Sequence, residues 1–207
     1  MIPYGRQSVD QGDIDAVVEV LRSDWLTQGP TLERFEQAVA ERCGARHGVA
    51  VCNATAGLHL ACLAAGLGAG DWLWTSPNSF VASANCARYC GAQVDFVDID
   101  PHTWNLDVGA LARKLEQARA AGRLPKVVVA VAFSGQSCDM AGMRRLAQEY
   151  GFVVIEDAAH ALGARYAGEP VGSGAYADLT VFSFHPVKIV TSGEGGMVLS
   201  LIHISEP

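Results

Sequence analysis

Seven short apolar runs alternate with helical stretches through most of this chain, and that rhythm restricts the fold more than any other feature. The runs cover residues 49–52, 72–75, 94–97, 127–132, 152–155, 179–182 and 197–199. Helical patterns fill most of the gaps, at 56–65, 81–89, 108–120 and 140–150. A strand–helix–strand order of this kind predicts an α/β fold, with a mixed, mostly parallel sheet sandwiched by helices. Ligands in such sheets bind outside the carboxyl ends of the strands. Asp157, Ser183 and the stretch Asn53-Ala54-Thr55 all fall at such ends.

Ahead of this rhythm lies an N-terminal arm and a helix over about 11–22, which Asp10 is placed to cap. Ile14, Val17, Val18 and Leu21 form its apolar face. Leu26-Thr27-Gln28-Gly29-Pro30 reads as a loop, and a second amphipathic helix follows with Leu32, Phe35 and Val39 on one side. The chain's 207 residues suit one large domain, and its net charge of −7 with no basic run speaks against a nucleic-acid partner. No apolar run approaches the length of a membrane span, and the N-terminus has no apolar signal core, so a cytoplasmic protein is expected. The tail, residues 201–207, stops without completing a unit. It reads as a translated adapter and is set aside from the fold, leaving 1–200 as arm plus large domain.

Two motifs carry the chemistry. Lys188 ends Ser183-Phe184-His185-Pro186-Val187-Lys188, with apolar residues before it and Gly193-Glu194-Gly195-Gly196 after it. Asp157 closes the apolar run before Ala158-Ala159-His160. Together they read as the two poles of a pyridoxal 5'-phosphate (PLP) site. The lysine supplies a desolvated amine for a Schiff base, and the carboxylate pairs with the ring nitrogen. Asp157 is also placed to cap a helix beginning at Ala158, and the two roles are compatible. Strand alternation turns the neighbouring Glu156 to the other face. His160 is positioned for the ring face or its oxygen. Thr55 and Ala56 open a helix where backbone N–H groups can meet a phosphate, although Thr55 fits a simple cap equally well. Ser183 can add a hydroxyl there. Phe80 suits either ring stacking or a core position. Cys86 and Cys90, one helical turn apart, could suit a metal, but small buried residues are the more economical reading.

These residues resemble, in this order, the DegT-type sugar aminotransferases of the fold type I (aspartate aminotransferase-like) PLP superfamily. The matching stretches include Leu26-Thr27-Gln28-Gly29, residues 54–59 and 79–85, Gly135-Gln136, and residues 156–163 and 183–196. The form of the Lys188 motif looks most like the branch that aminates C4 of a UDP-linked 4-keto-6-deoxy-N-acetylhexosamine in pseudaminic acid biosynthesis. The resemblance implies Lys188, Asp157 and His160 as catalytic residues. It implies Thr55, Ala56, Phe80 and Ser183 as further cofactor contacts. Tyr4, Asp24, Trp25, Leu26, Thr27, Ala54 and Ser183 match substrate-lining positions. It further implies glutamate as amino donor, a nucleotide sugar as acceptor, a homodimer, and a C-terminal small domain that this chain lacks. The alternatives are a non-catalytic PLP-binding fragment and a PLP-dependent sugar dehydratase. That dehydratase branch carries a histidine in place of the lysine, whereas here His185 lies three residues before Lys188.

Overall fold

The computed structural model describes residues 5–201. Seven strands form one sheet: β1 (His47–Val51), β2 (Trp72–Thr75), β3 (Gln93–Phe96), β4 (Val127–Val131), β5 (Val153–Asp157), β8 (Leu179–Ser183) and β9 (Gly196–Ser200). Their order across the sheet is β1-β9-β8-β5-β4-β2-β3. Pairing is parallel from β3 through β8, and β9 runs antiparallel to both of its neighbours. Every apolar run of the sequence is therefore a strand of this sheet. A small hairpin, β6 (Arg165–Tyr166) with β7 (Glu169–Pro170), stands apart from it.

The strands separate two cores because alternate side chains point to opposite faces. Leu73, Val127, Val129, Ile155 and Val181 face one side, against Leu58, Ala61 and Cys62 of α3 (Ala54–Ala64) and Ala82, Cys86 and Ala87 of α4 (Ala82–Tyr89). Trp74, Val128, Ala130 and Val154 face the other, against Leu111 and Leu115 of α5 (Val108–Ala120) and Met143 and Leu146 of α6 (Met140–Tyr150). Phe182, Met197 and Leu199 continue that second face under Val39 and Cys43 of α2 (Pro30–Cys43). Each such fully buried large side chain contributes about 1.5–3 kcal/mol. Cys43, Cys62, Cys86 and Cys138 are buried free thiols, Cys90 is partly covered and Cys52 is exposed.

The N-terminal helix α1 (Gln11–Arg22) forms where expected, with Asp10 and Asp13 in a reciprocal capping box. It buries none of its residues against the described chain. Three local alternatives left open by the sequence are decided. The cap of α3 is Asn53, whose Oδ1 accepts the Ala56 N–H at 2.9 Å, and Thr55 takes no part in it. Residues 158–162 form successive turns instead of a helix. The Ala158 N–H is drawn to the Val181 carbonyl at 2.9 Å, extending the β5–β8 ladder past the point where a helix would start. Phe80 is 72% exposed, which rules out a core role.

Candidate active site

The parallel strands end together, and register fixes what meets there. Val131 lies beside Asp157, Asp157 beside Val181, and Ser183 beside Gly196, which in turn pairs with Val51. Asp157 is the last residue of β5 and shares the α3–α4 face with Ile155. It is only 6% exposed. Its Oδ2 accepts a hydrogen bond from Ser83 Oγ at 2.7 Å, and its Oδ1 accepts the Ala159 N–H at 3.3 Å. Burial pushes the Asp157 carboxyl above its ordinary range, opposed by the Ser83 hydroxyl, the Ala159 N–H and the nearby Lys188 and His160. Glu156 points to the opposite face as alternation requires, where Thr180 Oγ1 lies 3.5 Å from it.

Lys188 sits on an excursion between β8 and β9. The base of that excursion is clipped by the Phe184 N–H to the Gly195 carbonyl at 2.9 Å and the Ser192 N–H to the Phe184 carbonyl at 3.1 Å. Phe184 is itself anchored edge-on against Phe35, with ring centroids 5.0 Å apart. The excursion brings Lys188 Nζ within 2.6 Å of His160 Nε2. Burial lowers the affinity of both groups for a proton, and the lysine charge lowers that of His160 further. Asp157 pulls the other way on each. An amine held this way loses its proton more readily than an exposed lysine, which is what a nucleophilic lysine needs.

Lys188, His160, Asp157 and Phe80 line one cavity of about 160 Å³, together with Ser79, Val131, Ala132 and Ser134. Four predicted residues from three separate stretches of sequence thus meet in one place. Gly135 makes the close approach possible, since a Cβ there would lie 2.7 Å from the His160 carbonyl oxygen and its φ is +87°.

Thr55, Ala56 and Ser183 do not line that cavity. Thr55 and Ala56 open α3 and Ser183 ends β8, and Gly196, paired with Ser183, packs so close to α3 that a Cβ there would fall 2.7 Å from the Ala54 nitrogen. Trp25, Leu26 and Thr27 line a larger cavity of about 500 Å³ with Phe35, Val51, Ser192 and Glu194. Asp24 lies exposed beside it in the chain, and Ala54 is half-buried at the first turn of α3. Tyr4 lies outside the described residues. His185 is outside the lysine cavity and its Nε2 lies 3.9 Å from Glu194. Ser83 is a site residue that sequence reasoning missed. It belongs to a stretch matched only by resemblance, 74 positions from the carboxylate it touches.

Residues 7–201 match the DegT/DnrJ/EryC1/StrS aminotransferase family. The chain belongs to this family. It is 42% identical over 201 residues to a UDP-4-amino-4,6-dideoxy-N-acetyl-beta-L-altrosamine transaminase of Campylobacter jejuni, covering 97% of this chain and 51% of that one. Among solved structures it superposes at a TM-score of 0.87 on Helicobacter pylori PseC, an aminotransferase involved in pseudoaminic acid biosynthesis. Identity there is 32%, over 97% of this chain and 52% of PseC. The PLP form of Spr1654 of Streptococcus pneumoniae gives a TM-score of 0.87 at 29% identity, over 98% and 53% of the two chains. The chain therefore spans about half the length of the relatives it matches. Family members share the mixed α/β sheet described above, and no helix among the described residues is long and apolar enough to cross a membrane.

Proposed function

We propose that this chain is the cofactor-binding half of a PLP-dependent sugar-nucleotide aminotransferase, passing an amino group from glutamate to a 4-keto-6-deoxy sugar on a nucleotide. The observation that carries this reading is the Lys188 amine 2.6 Å from His160 in a cavity that the buried Asp157 also lines. The residues fit the cofactor. A buried carboxyl supplied only with neutral hydrogen-bond donors is a natural partner for a cationic ring nitrogen. Lys188 would hold PLP through its amine, Phe80 would cover the ring, and His160 would contact the ring oxygen. Thr55, Ala56 and Ser183 would take the phosphate. When bound, PLP supplies an electron sink for a carbanion next to nitrogen.

The rest is work for the chain's own side chains. With its amine free, Lys188 would serve as the base that takes the donor's Cα proton onto Nζ. His160, 2.6 Å away with its own proton affinity lowered, accepts a hydrogen bond from that amine and orients it. Asp157 would pair with the positive charge of the ring nitrogen. The 500 Å³ cavity under Trp25, Leu26 and Thr27 suits the sugar nucleotide, with Asp24, Ala54, Tyr4 and Ser183 at its margin. The name of the Campylobacter relative supports amination at C4 of a UDP-linked N-acetylhexosamine, and the homodimer is carried over from the resemblance to the family. Lys188 in the cavity, with His185 turned toward Glu194, speaks against the dehydratase alternative.

Adding PLP to the purified chain should produce a visible absorption band that borohydride bleaches and that Lys188→Ala abolishes. A folded protein that gives the same band with alanine at 188 sinks the proposal.

A further inference from the structure

Two donors reach the buried Asp157 carboxyl, and they are unequal. The Ala159 N–H is distant at 3.3 Å, whereas Ser83 Oγ stands at 2.7 Å. Ser83 is 1% exposed, on the first turn of α4. Its hydroxyl also lies 2.6 Å from Ser79 Oγ, and Ser79 lines the lysine cavity. Ser79, Ser83 and Asp157 thus form a continuous chain of hydrogen bonds between the cavity wall and the carboxyl group.

A serine hydroxyl has one proton to give. With Asp157 ionised, both carboxylate oxygens accept, so Ser83 donates to Asp157 and accepts from Ser79. With a proton on Oδ2 the direction reverses, and Ser83 donates to Ser79. Neither charge state strands a polar atom, but the bond from Ser83 to the ionised carboxylate is the stronger of the two, so the pair favours the anion. The other charged groups around Asp157 are Lys188 and His160, which favour its anion. Glu156, its neighbour in the chain, faces the opposite side of the sheet toward Thr180.

We propose that Ser83 is a positioning residue for Asp157, with Ser79 as the second link, and that this hydroxyl pair keeps the carboxylate charged and directed at the cavity. Its consequence for catalysis rests on the function proposed above; the hydrogen-bond chain does not. Ser83 touches neither substrate nor the reacting lysine. It acts through the strength with which Asp157 holds a cationic ring nitrogen.

The first test uses the cofactor-free chain. Infrared spectra of protein labelled with ¹³C-aspartate, with Asp157→Asn identifying the band, give the Asp157 titration midpoint. A hydrogen bond to a buried charge shifts an acid constant by about tenfold to hundredfold, so Ser83→Ala should raise the midpoint by roughly one to two pH units. Ser83→Thr, which keeps the hydroxyl, should restore it. Ser79→Ala should shift it in the same direction by less. With cofactor and substrates, Ser83→Ala should lower kcat about tenfold or more while KM stays within about twofold. An unmoved midpoint in Ser83→Ala overturns the inference, even if that variant melts earlier. If Ser83→Ala does not fold, an unmoved midpoint in Ser79→Ala overturns it instead. A wild-type chain that binds no PLP while its midpoint still responds to Ser83→Ala would defeat the proposed function and leave this inference standing.

Discussion

At the scale of single residues, two adjacent carboxyl groups on β5 have been given opposite environments. Asp157 faces the cavity and has hydroxyl and N–H donors. Glu156 is 5% exposed on the other face, where among the described residues the distant Thr180 hydroxyl is its hydrogen-bond partner. Burial therefore dominates at Glu156 and raises its pKa from 4.5 to about 7. The unfolded chain releases this proton near 4.5 and the folded chain near 7. The folded state thus binds the extra proton in between, and stability falls as pH rises across that window, then levels off. The full effect is on the order of 3 kcal/mol. Glu156→Gln keeps the shape and removes the charge, so it should lose less stability than wild type between pH 5 and about 8 in urea melts. The residual slope belongs to Asp157, which burial also pushes up. Equal losses in both proteins would mean that Glu156 is already ionised in the fold. Much at this scale was legible in the sequence. Asp157 ends an apolar run, and strand alternation alone separated it from Glu156. Ser83 was not legible, because a contact across 74 residues depends on how α4 packs on the sheet, and no local pattern carries that.

At the scale of elements, the sequence located every strand of the main sheet because strands covered on both faces read as unbroken apolar runs, as in Val127-Val128-Val129-Ala130-Val131. Strand direction leaves no such mark, so the reversal of β9 had to come from the structure. The two-residue strands of the β6–β7 hairpin are too short to show any period. The turns after β5 were misread because Ala158-Ala159-His160-Ala161-Leu162 has good helix formers, and tertiary pairing with Val181 overrides that preference. Those turns depend on Gly135, which carries His160 on its surface. Gly135→Ala meets both an unfavourable φ of +87° and a contact of 2.7 Å with the His160 carbonyl. Gly163→Ala is the matched control, with a φ of +83° and open space around the added methyl. Strain of the first kind alone costs about 1 kcal/mol, and the backbone clash adds to it. Gly135→Ala should therefore have the lower Tm, and it alone should slow the trapping of PLP on Lys188. Equal behaviour of the two variants would remove Gly135 as a support of the His160–Lys188 pair.

At the scale of the whole molecule, the described residues cover the sheet with helices and leave one helix face bare. The helix α1 is well capped at its N-terminus and amphipathic, yet it buries no residue, and Val17 and Leu21 on its apolar stripe are 61% and 64% exposed. Beyond it in the chain, Trp25 and Leu26 are exposed too, beside the larger cavity. An amphipathic helix takes most of its stability from packing its apolar face, and contiguous apolar surface of this kind attracts other copies. The chain spans about half the length of the relatives it matches, and this stripe of α1 is uncovered among the described residues. The isolated chain should therefore self-associate as its concentration rises. Val17→Glu together with Leu21→Glu places two charges on that stripe without touching the sheet, the cavity or a buried group. Sedimentation velocity should show the double variant monomeric at concentrations where the parent chain is not. Thermal stability should change by no more than about 0.5 kcal/mol, as for other exposed positions. A parent chain that stays monodisperse throughout would mean that α1 folds back onto the sheet in solution. In that case the charged variant should lose stability, since glutamates would then be forced into an apolar contact.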